Sequence, residues 1–376
     1  MVNIINLKVM RVAHIFWSLG YGGIETMLVN IANAQVDMGA EVHIVIINHL
    51  MEKSLVDNLD ERIHYHCLER TSKSKSLWFF VKLNQLLLKI NPDAIHLHRS
   101  EFYSILFSKK LKRISCVTLH DLPSGKVRRA MSIARLFPIL NFHMAGNVSC
   151  INLVPRVFSI SNSVQKALFD NYGVKSTVIE NGIITKKFQQ RDSSTINDNS
   201  PLRVICVSRL EHEKKGQDLL IEAAKKLNGK ADVSFVGIGN SMESLKDLTH
   251  KLNADKYVHF LGKEPQSWIA EHLRDYDLFV QASRWEGFGL TVAEAMAAKL
   301  PVLVSSGQGP AEVTENDKFG WVFKNGNSND LANEIKYIAS HYEKALTKAD
   351  KAVQHVRKNY DVSVTAKSYL EHYLEN

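Results

Sequence analysis

Leu278-Phe-Val-Gln281-Ala-Ser283-Arg-Trp-Glu286-Gly-Phe-Gly289-Leu-Thr-Val-Ala-Glu294-Ala-Met-Ala297 runs from a short apolar stretch through a glycine-rich loop into a helical pattern. Strand, loop and helix in that order are half of a parallel βαβ unit. They put the loop at the carboxyl end of its strand, where ligands bind in such sheets. Gly287 and Gly289 let the backbone come close to a ligand, and a helix starting near Leu290 offers unpaired N–H groups to a phosphate. Glu286 falls in the loop and Glu294 about one turn into the helix. Two carboxylates so placed accept hydrogen bonds from separate hydroxyl groups of a sugar-containing ligand. The spacing alone arises often by chance, so the reading rests on its surroundings.

The same alternation extends in both directions. Upstream lie a predicted strand at Leu202–Ser208, a helix at Gly216–Leu227, a strand at Val233–Val236 and a helix at Met242–Leu252; downstream come a strand at Pro301–Ser305 and a helix at Ser328–Ala339. The first half predicts strands at Arg11–Trp17, Glu41–Asn48, Ala94–His98, Cys116–His120, Val157–Ile160 and Thr177–Glu180, with a helix at Gly22–Met38. Between the halves, 189–201 is polar and turn-rich, the composition of a linker. The expected fold class is α/β, with two Rossmann-like, doubly wound domains facing across a cleft. The expected boundaries are 1–188, a linker at 189–201, 202–359, and a terminal segment at 360–376.

Bulk properties narrow the function. With 376 residues, 45% hydrophobic and 23% charged, the chain reads as soluble and two-domain. It has no long apolar run, and Met1–Lys8 does not look like a leader, so a cytoplasmic protein is expected. Cys67, Cys116, Cys150 and Cys206 are scattered, which suits buried thiols better than a disulfide or metal site. The net charge of +8 is uneven: residues 1–190 hold 23 Lys+Arg against 13 Asp+Glu, and the remainder 24 against 26. The clusters Lys109-Lys110-Leu-Lys112-Arg113 and Lys126-Val-Arg128-Arg129, the latter followed by Arg135-Leu-Phe-Pro-Ile-Leu140, suit an anionic membrane surface. A solvated basic face is the alternative. Nucleic acid is not an expected partner, because no zinc-finger spacing, RNP-like motif or aromatic-interleaved basic stripe is present.

Other motifs fall at predicted strand ends. Ser18-Leu-Gly20-Tyr-Gly22-Gly23-Ile-Glu25 joins the first strand to the first helix and reads either as a phosphate-binding turn or as a plain tight turn. His96 and His98 close one strand, and His120-Asp121 close the next; structural and ligand-facing roles both stay open for them. A metal reading is weak without a third ligand of convincing spacing. Arg209 and Lys215 flank the loop after Val207, a cationic pocket suited to a diphosphate, with a charge cluster paired to Glu211 and Glu213 as the alternative. Asp275-Tyr-Asp277 has the D-x-D form of a cation site but precedes its strand, so a structural role is expected.

Taken together these residues resemble glycosyltransferase family 4, a retaining family with the two-Rossmann GT-B fold. In the second half the resemblance is carried in order by Ser208-Arg209-Leu210 with Lys215-Gly216, Val236-Gly237-Ile-Gly239, Val258-His-Phe-Leu-Gly262, Asp277-Leu-Phe-Val, Glu286 to Glu294, Pro301-Val-Leu-Val-Ser and Gly307-Gln-Gly-Pro-Ala-Glu312-Val. In the first half it is looser: Gly22-Gly23-x-Glu25, Asp93-Ala-Ile-His96-Leu-His98, Thr118-Leu-His120 and Glu180-Asn181-Gly182. Ile184 stands where the family commonly has Asp, and Ser208 where Gly is usual.

The resemblance implies a nucleotide-sugar donor, with uracil the commonest base, and a glycan or lipid-linked acceptor. It implies metal-independent catalysis without a cofactor, in which Arg209 and Lys215 neutralise the leaving diphosphate. Glu294 would hold the ribose, and Glu286 the transferred sugar. The backbone of Gly287, Phe288, Gly289 and Leu290 would help, and Gly22 and Gly23 would touch the phosphate side. His120 would sit beside the sugar, with His98 and Asp121 as acceptor-side candidates. The stretch Tyr360–Leu374 resembles the helix that crosses back to the N-terminal domain. Bacterial surface polysaccharide, capsule or lipopolysaccharide synthesis is the expected setting, with peripheral attachment to the inner face of the membrane. A nucleotide-sugar epimerase, a phosphorylase and a non-catalytic binding subunit are the rival readings.

Overall fold

The computed structural model describes residues 9–20, 22–71, 73–74, 76–121, 150–192, 196 and 200–374. The chain divides into two compact units, one formed by Met1–Gly182 with Val362–Asn376 and the other by Ile183–Asp361.

The first unit holds a seven-stranded parallel sheet in the order β3-β2-β1-β4-β5-β6-β7. Its strands are β1 (Arg11–Phe16), β2 (Glu41–Asn48), β3 (His64–Arg70), β4 (Ala94–Leu97), β5 (Ser115–Leu119), β6 (Arg156–Ser159) and β7 (Thr177–Val178). β1 is central, pairing Val12 with Val42 on one side and with Ala94 on the other. Its residues are buried on both faces, as expected of a parallel sheet covered by helices. The Gly23–Asp37 helix packs Leu28, Val29, Ala32 and Val36 onto Val42, Ile44 and Ile46. The Val362–His372 helix packs against that same helix. Gly182 makes this return feasible: a Cβ there would lie 2.6 Å from both Val362 Cα and Thr365 Oγ1. Thr365 Oγ1 in turn donates to the Glu180 carbonyl at 2.8 Å.

The second unit holds a six-stranded parallel sheet in the order β10-β9-β8-β11-β12-β13. Its strands are β8 (Leu202–Val207), β9 (Ala231–Val236), β10 (Val258–Gly262), β11 (Leu278–Gln281), β12 (Val302–Ser305) and β13 (Trp321–Phe323). One core gathers Val204, Cys206, Phe235, Val280 and Leu303 with Leu220, Ala224, Leu331 and Ile335 from the covering helices.

The expected linker at 189–201 is corrected. The units divide ahead of it, at Gly182/Ile183, and its start is built into the second unit. Gln189 N–H donates to Ala270 O at 2.9 Å, and Arg191 N–H to Ala298 O at 2.8 Å. The Arg191 guanidinium, 5% exposed, donates to Asp277 at 3.0 Å. A stretch with a single aliphatic side chain, Ile196 against the core of the second unit, can thus be anchored largely through backbone and guanidinium hydrogen bonds, which composition does not reveal. The four thiols are free, three of them buried and Cys67 partly so. Among the described residues no helix is long and apolar enough to cross a membrane.

Candidate active site

In the second unit β8 and β11 lie side by side, Val204 opposite Leu278. β9 and β10 continue the sheet to one side of them, β12 and β13 to the other. The chain reverses its direction of winding between β8 and β11, and such a switch point opens a crevice outside the carboxyl ends of the strands. The loops that leave these two strands carry Arg209, Lys215 and Glu286, and the second leads on to Glu294.

Lys215 and Glu286, separate in the sequence reading, form an ion pair through Nζ and Oε2, their side chains 17% and 18% exposed. The local folding explains why. Gly216 has φ +66°, and a Cβ there would sit 2.0 Å from Ala282 O, so only glycine lets this turn pass the loop after β11. Arg284 N–H donates to Lys214 O at 2.8 Å. Its guanidinium forks onto Asp218 at 2.8 and 2.6 Å and also reaches His212 O. These bonds lock the Lys215 loop to the Glu286 loop.

Arg209 is 58% exposed on its side chain and reaches Glu211 at 3.3 Å. Its carbonyl accepts from the buried Gln217 Nε2 at 2.8 Å, and the same amide donates to Ser208 Oγ at 2.9 Å. The serine that departs from the family pattern therefore helps to fix this loop.

Glu286 N–H donates to Gln308 Oε1 at 2.9 Å. Gly309 N–H donates to Glu286 O at 3.1 Å. Gly289, at φ +102°, caps the Leu290–Ala297 helix. The N–H groups of Gly289 and Leu290 have no acceptor among the described residues, which suits an anion at this helix start. The Phe288 side chain is buried edge-on against Tyr360, so only its backbone is offered to a ligand. Glu294 is 8% exposed, accepts from Gln266 Nε2 at 2.8 Å, and is pushed up to about 7 by burial, which that hydrogen bond partly opposes. Asp277 binds Arg191 and Arg203, and the two guanidiniums hold its carboxyl below the usual range against the opposing effect of burial. Asp275 takes His272 at 2.7 Å.

The first unit has its own switch point between β1 and β4. The Gly22-Gly23 turn follows β1, His98 follows β4, and His120 and Asp121 follow β5. Gly22 is extended, at φ 179°, a conformation open to any residue; a Cβ there would meet only the flexible end of Glu25. Its carbonyl accepts from Thr26 N–H at 3.1 Å and so begins the helix that Gly23 opens.

Of the acceptor-side candidates, His98 is held inside the unit. It is 1% exposed, and its ring nitrogens lie 3.1 Å from His14 and 3.0 Å from His120. His120 is half-buried, and its Nδ1 is buried with no hydrogen-bond partner among the described residues. Burial pushes His14 down to about 4 and His120 to about 3, and lowers His96 and His98 well below the ordinary value, so the four rings are neutral. His14, His96 and His98 cluster as metal ligands would, but both nitrogens of each ring already have hydrogen-bond partners. Sequence reasoning missed His14, Gln35, Gln217, Gln266 and Gln308. They sit inside strands and helices or, for Gln308, in a loop that the sequence singled out without assigning this side chain a role, and only long-range contacts reveal what they hold. The basic cluster at 126–129 and the segment 135–140 lie outside the described residues.

Known proteins resemble this chain in sequence and in fold. Residues 186–356 match the family described as Glycosyl transferases group 1, and residues 21–187 match Glycosyltransferase Family 4. The chain is 26% identical to alpha-monoglucosyldiacylglycerol synthase of Acholeplasma laidlawii over 94% of this chain and 93% of that one. It is 31% identical to the amylovoran biosynthesis glycosyltransferase AmsK of Erwinia amylovora, but over only 42% of this chain and 40% of that protein. In three dimensions it superposes on HepE of Anabaena, solved with UDP and glucose, at a TM-score of 0.79 and 22% identity, covering 96% and 98% of the two chains. With the two family matches running consecutively through both sheets, the chain belongs to the group 1, family 4 glycosyltransferases of the GT-B fold.

Proposed function

We propose that this protein is a retaining glycosyltransferase that moves a sugar from a nucleoside-diphosphate sugar, UDP being the first base to test, to a glycan or lipid-linked glycan. The observation that carries the reading is the Lys215–Glu286 pair at the β8/β11 switch point, beside Arg209 and the open start of the Leu290–Ala297 helix. A diphosphate needs cations and N–H donors, whereas a sugar needs a fixed acceptor for its hydroxyls; here the two lie in contact. Glu294, deeper in the same helix, is suited to ribose hydroxyls. Arg209 and Lys215 stabilise the negative charge that grows on the leaving diphosphate, so no metal ion is required. The acceptor hydroxyl attacks the anomeric carbon from the side the diphosphate leaves. Its proton passes to the departing phosphate oxygen, and the configuration is retained.

The relatives support a setting in bacterial surface glycans or glycolipids, and the UDP-bound neighbour supports the choice of base. Attachment to an anionic membrane at the inner face of the cell is part of the proposal. The short Lys109–Arg113 helix, with Leu111 buried and its basic residues largely exposed, is the described portion of that surface.

The test is thermal stabilisation by nucleotide-sugars and nucleoside diphosphates, since a ligand that binds only the folded state raises its melting temperature. A shift with one nucleotide family that disappears in Arg209→Ala is the expected result; no shift with any of them at millimolar concentration would sink the donor site. EDTA should leave turnover intact, and a complete metal requirement would overturn the cation roles given to Arg209 and Lys215.

A further inference from the structure

Inside the first unit a continuous line of hydrogen bonds runs from the terminal helix to His120. Gln35, fully buried, has Oε1 2.8 Å from His14 Nε2 and its amide nitrogen 3.2 Å from Tyr373 OH. A carbonyl oxygen only accepts, so the proton of His14 is on Nε2. A neutral imidazole carries one N–H, which leaves His14 Nδ1 bare. The proton in the 3.1 Å contact between His14 Nδ1 and His98 Nε2 must then come from His98. His98 Nδ1 is bare in its turn, and His120 Nε2 donates across the next contact of 3.0 Å. His120 Nδ1, the buried atom without a partner among the described residues, is left with a lone pair.

The other arm has the same polarity. Tyr373 OH accepts from Gln35 and donates to His96 Nδ1 at 2.7 Å, His96 Nε2–H donates to Thr118 Oγ1 at 2.7 Å, and Thr118 O–H to Tyr369 OH at 3.0 Å. Each group offers one donor and one acceptor to the line, so turning the Gln35 amide over would reverse every proton in it and put a proton on His120 Nδ1.

We propose that Gln35, held by Tyr373, is a positioning residue that acts through His14 and His98 to fix His120 as its Nε2–H tautomer. Nδ1 of His120 thereby accepts a hydrogen bond from a substrate hydroxyl. The naming of that hydroxyl as a sugar's rests on the sugar-transfer reading above; the tautomer does not. The arrangement accounts for His14 and His98 buried at a hydrophobic sheet and for Gln35 buried in the helix that packs on it: replacing any one of the three leaves its neighbours unpaired and His120 undirected. The imidazole that meets the ligand, at the end of a strand, is aimed by an amide on the Gly23–Asp37 helix.

The experiment uses the full chain without ligand, labelled with nitrogen-15 at histidine only. Long-range proton–nitrogen spectra distinguish bare from protonated ring nitrogens, and His120→Gln identifies the His120 signals. A bare Nδ1 and protonated Nε2 on His120 are expected; the opposite tautomer overturns the proposal. Gln35→Leu, checked for folding by circular dichroism, should give His120 signals of both tautomers, and an unchanged single tautomer in a folded variant overturns it. Should that variant fail to fold, Tyr373→Phe keeps the ring's bulk and frees the amide to turn. Both tautomers are again expected, and an unchanged one overturns the proposal. In turnover, Gln35→Leu should lower kcat while the donor KM stays within about twofold. A loss confined to donor KM would count against the positioning role. Because the spectra need neither donor nor acceptor, a wrong tautomer and a wrong reaction are told apart.

Discussion

At the carboxyl edge of the second unit's sheet the working groups are ionic and open to a ligand: Arg209 on the surface, and Lys215 against Glu286 in partial shelter. At the equivalent edge of the first unit they are neutral. His14, His96, His98 and His120 are all held uncharged by burial and joined in one line of hydrogen bonds. Both edges are switch points of parallel sheets, so topology opens a crevice at each and leaves the chemistry to the loops. The charged edge acts through its field, which suits a diphosphate and weakens with salt. The neutral edge acts through the direction of single lone pairs, which suits hydroxyl groups and is insensitive to salt.

The largest expected effect tests the charged edge. Lys215→Ala should lower kcat/KM by about a hundred- to a thousandfold, the usual loss when one group stabilising a transition-state charge is removed. It also leaves Glu286 without its partner, so Glu286→Ala added to it should cost much less than it does alone. Simple additivity of the two, measured in a double-mutant cycle, would show that the pair does not act as one device.

The same comparison shows what was legible from the sequence. Glu286 and Glu294 were readable because loop and helix are contiguous, and the glycines between them mark the turn. The Lys215–Glu286 pair was not, since it depends on Gly216 clearing Ala282 and on Arg284 clamping Asp218, contacts between distant segments. In the first unit His98 and His120 stood out at strand ends, but the residue that aims them, Gln35, lies inside a helix and looks like any polar interruption of its face. His14 lies within an otherwise apolar strand. The core strands were legible to within a residue or two. The strands β3, β10 and β13 were missed: the alternation of His64–Arg70 breaks after four residues, Val258–Gly262 stood out only as a motif, and Trp321–Phe323 is three residues long.

A smaller effect separates the two carboxylates. Glu294→Ala should weaken donor binding by about ten- to a hundredfold, as loss of hydrogen bonds to a charged group implies, with turnover of bound donor largely kept. Glu286→Ala should do the reverse, lowering kcat with donor affinity little changed. Titration calorimetry beside steady-state kinetics reads both, and an exchanged pattern would reassign the two residues.

Acidity sharpens the contrast further. With Glu294 pushed up to about 7, donor affinity should fall roughly tenfold as pH drops from about 8 to about 6, because only the ionised carboxylate accepts from two hydroxyls. The buried histidines of the first unit titrate well below that window and should contribute nothing to it. Donor binding by Glu294→Gln should be weaker and flat across the same range. A wild-type-like slope in that variant would assign the titration to another group.

The smallest effect concerns stability, and its sign follows from the same group. An ordinary glutamate titrates near 4.5, and folding raises Glu294 to about 7 through burial, with the Gln266 hydrogen bond acting in the opposite sense. Between those values the folded state holds the proton more tightly, so stability falls as pH rises from 4.5 to 7 and then levels off. Glu294→Gln removes the ionisation and keeps an oxygen for Gln266. Its melting temperature should match the wild type's near pH 4.5 and exceed it above pH 7. The gain is at most about 3 kcal/mol, a shift of a few degrees in a unit of this size. A difference that does not depend on pH would mean that the carboxylate is not desolvated in the folded protein. The donor site would then have to draw its pH dependence from the ligand. The predicted gain is the cost that the free protein bears for keeping a carboxylate dry until the nucleotide's hydroxyls arrive.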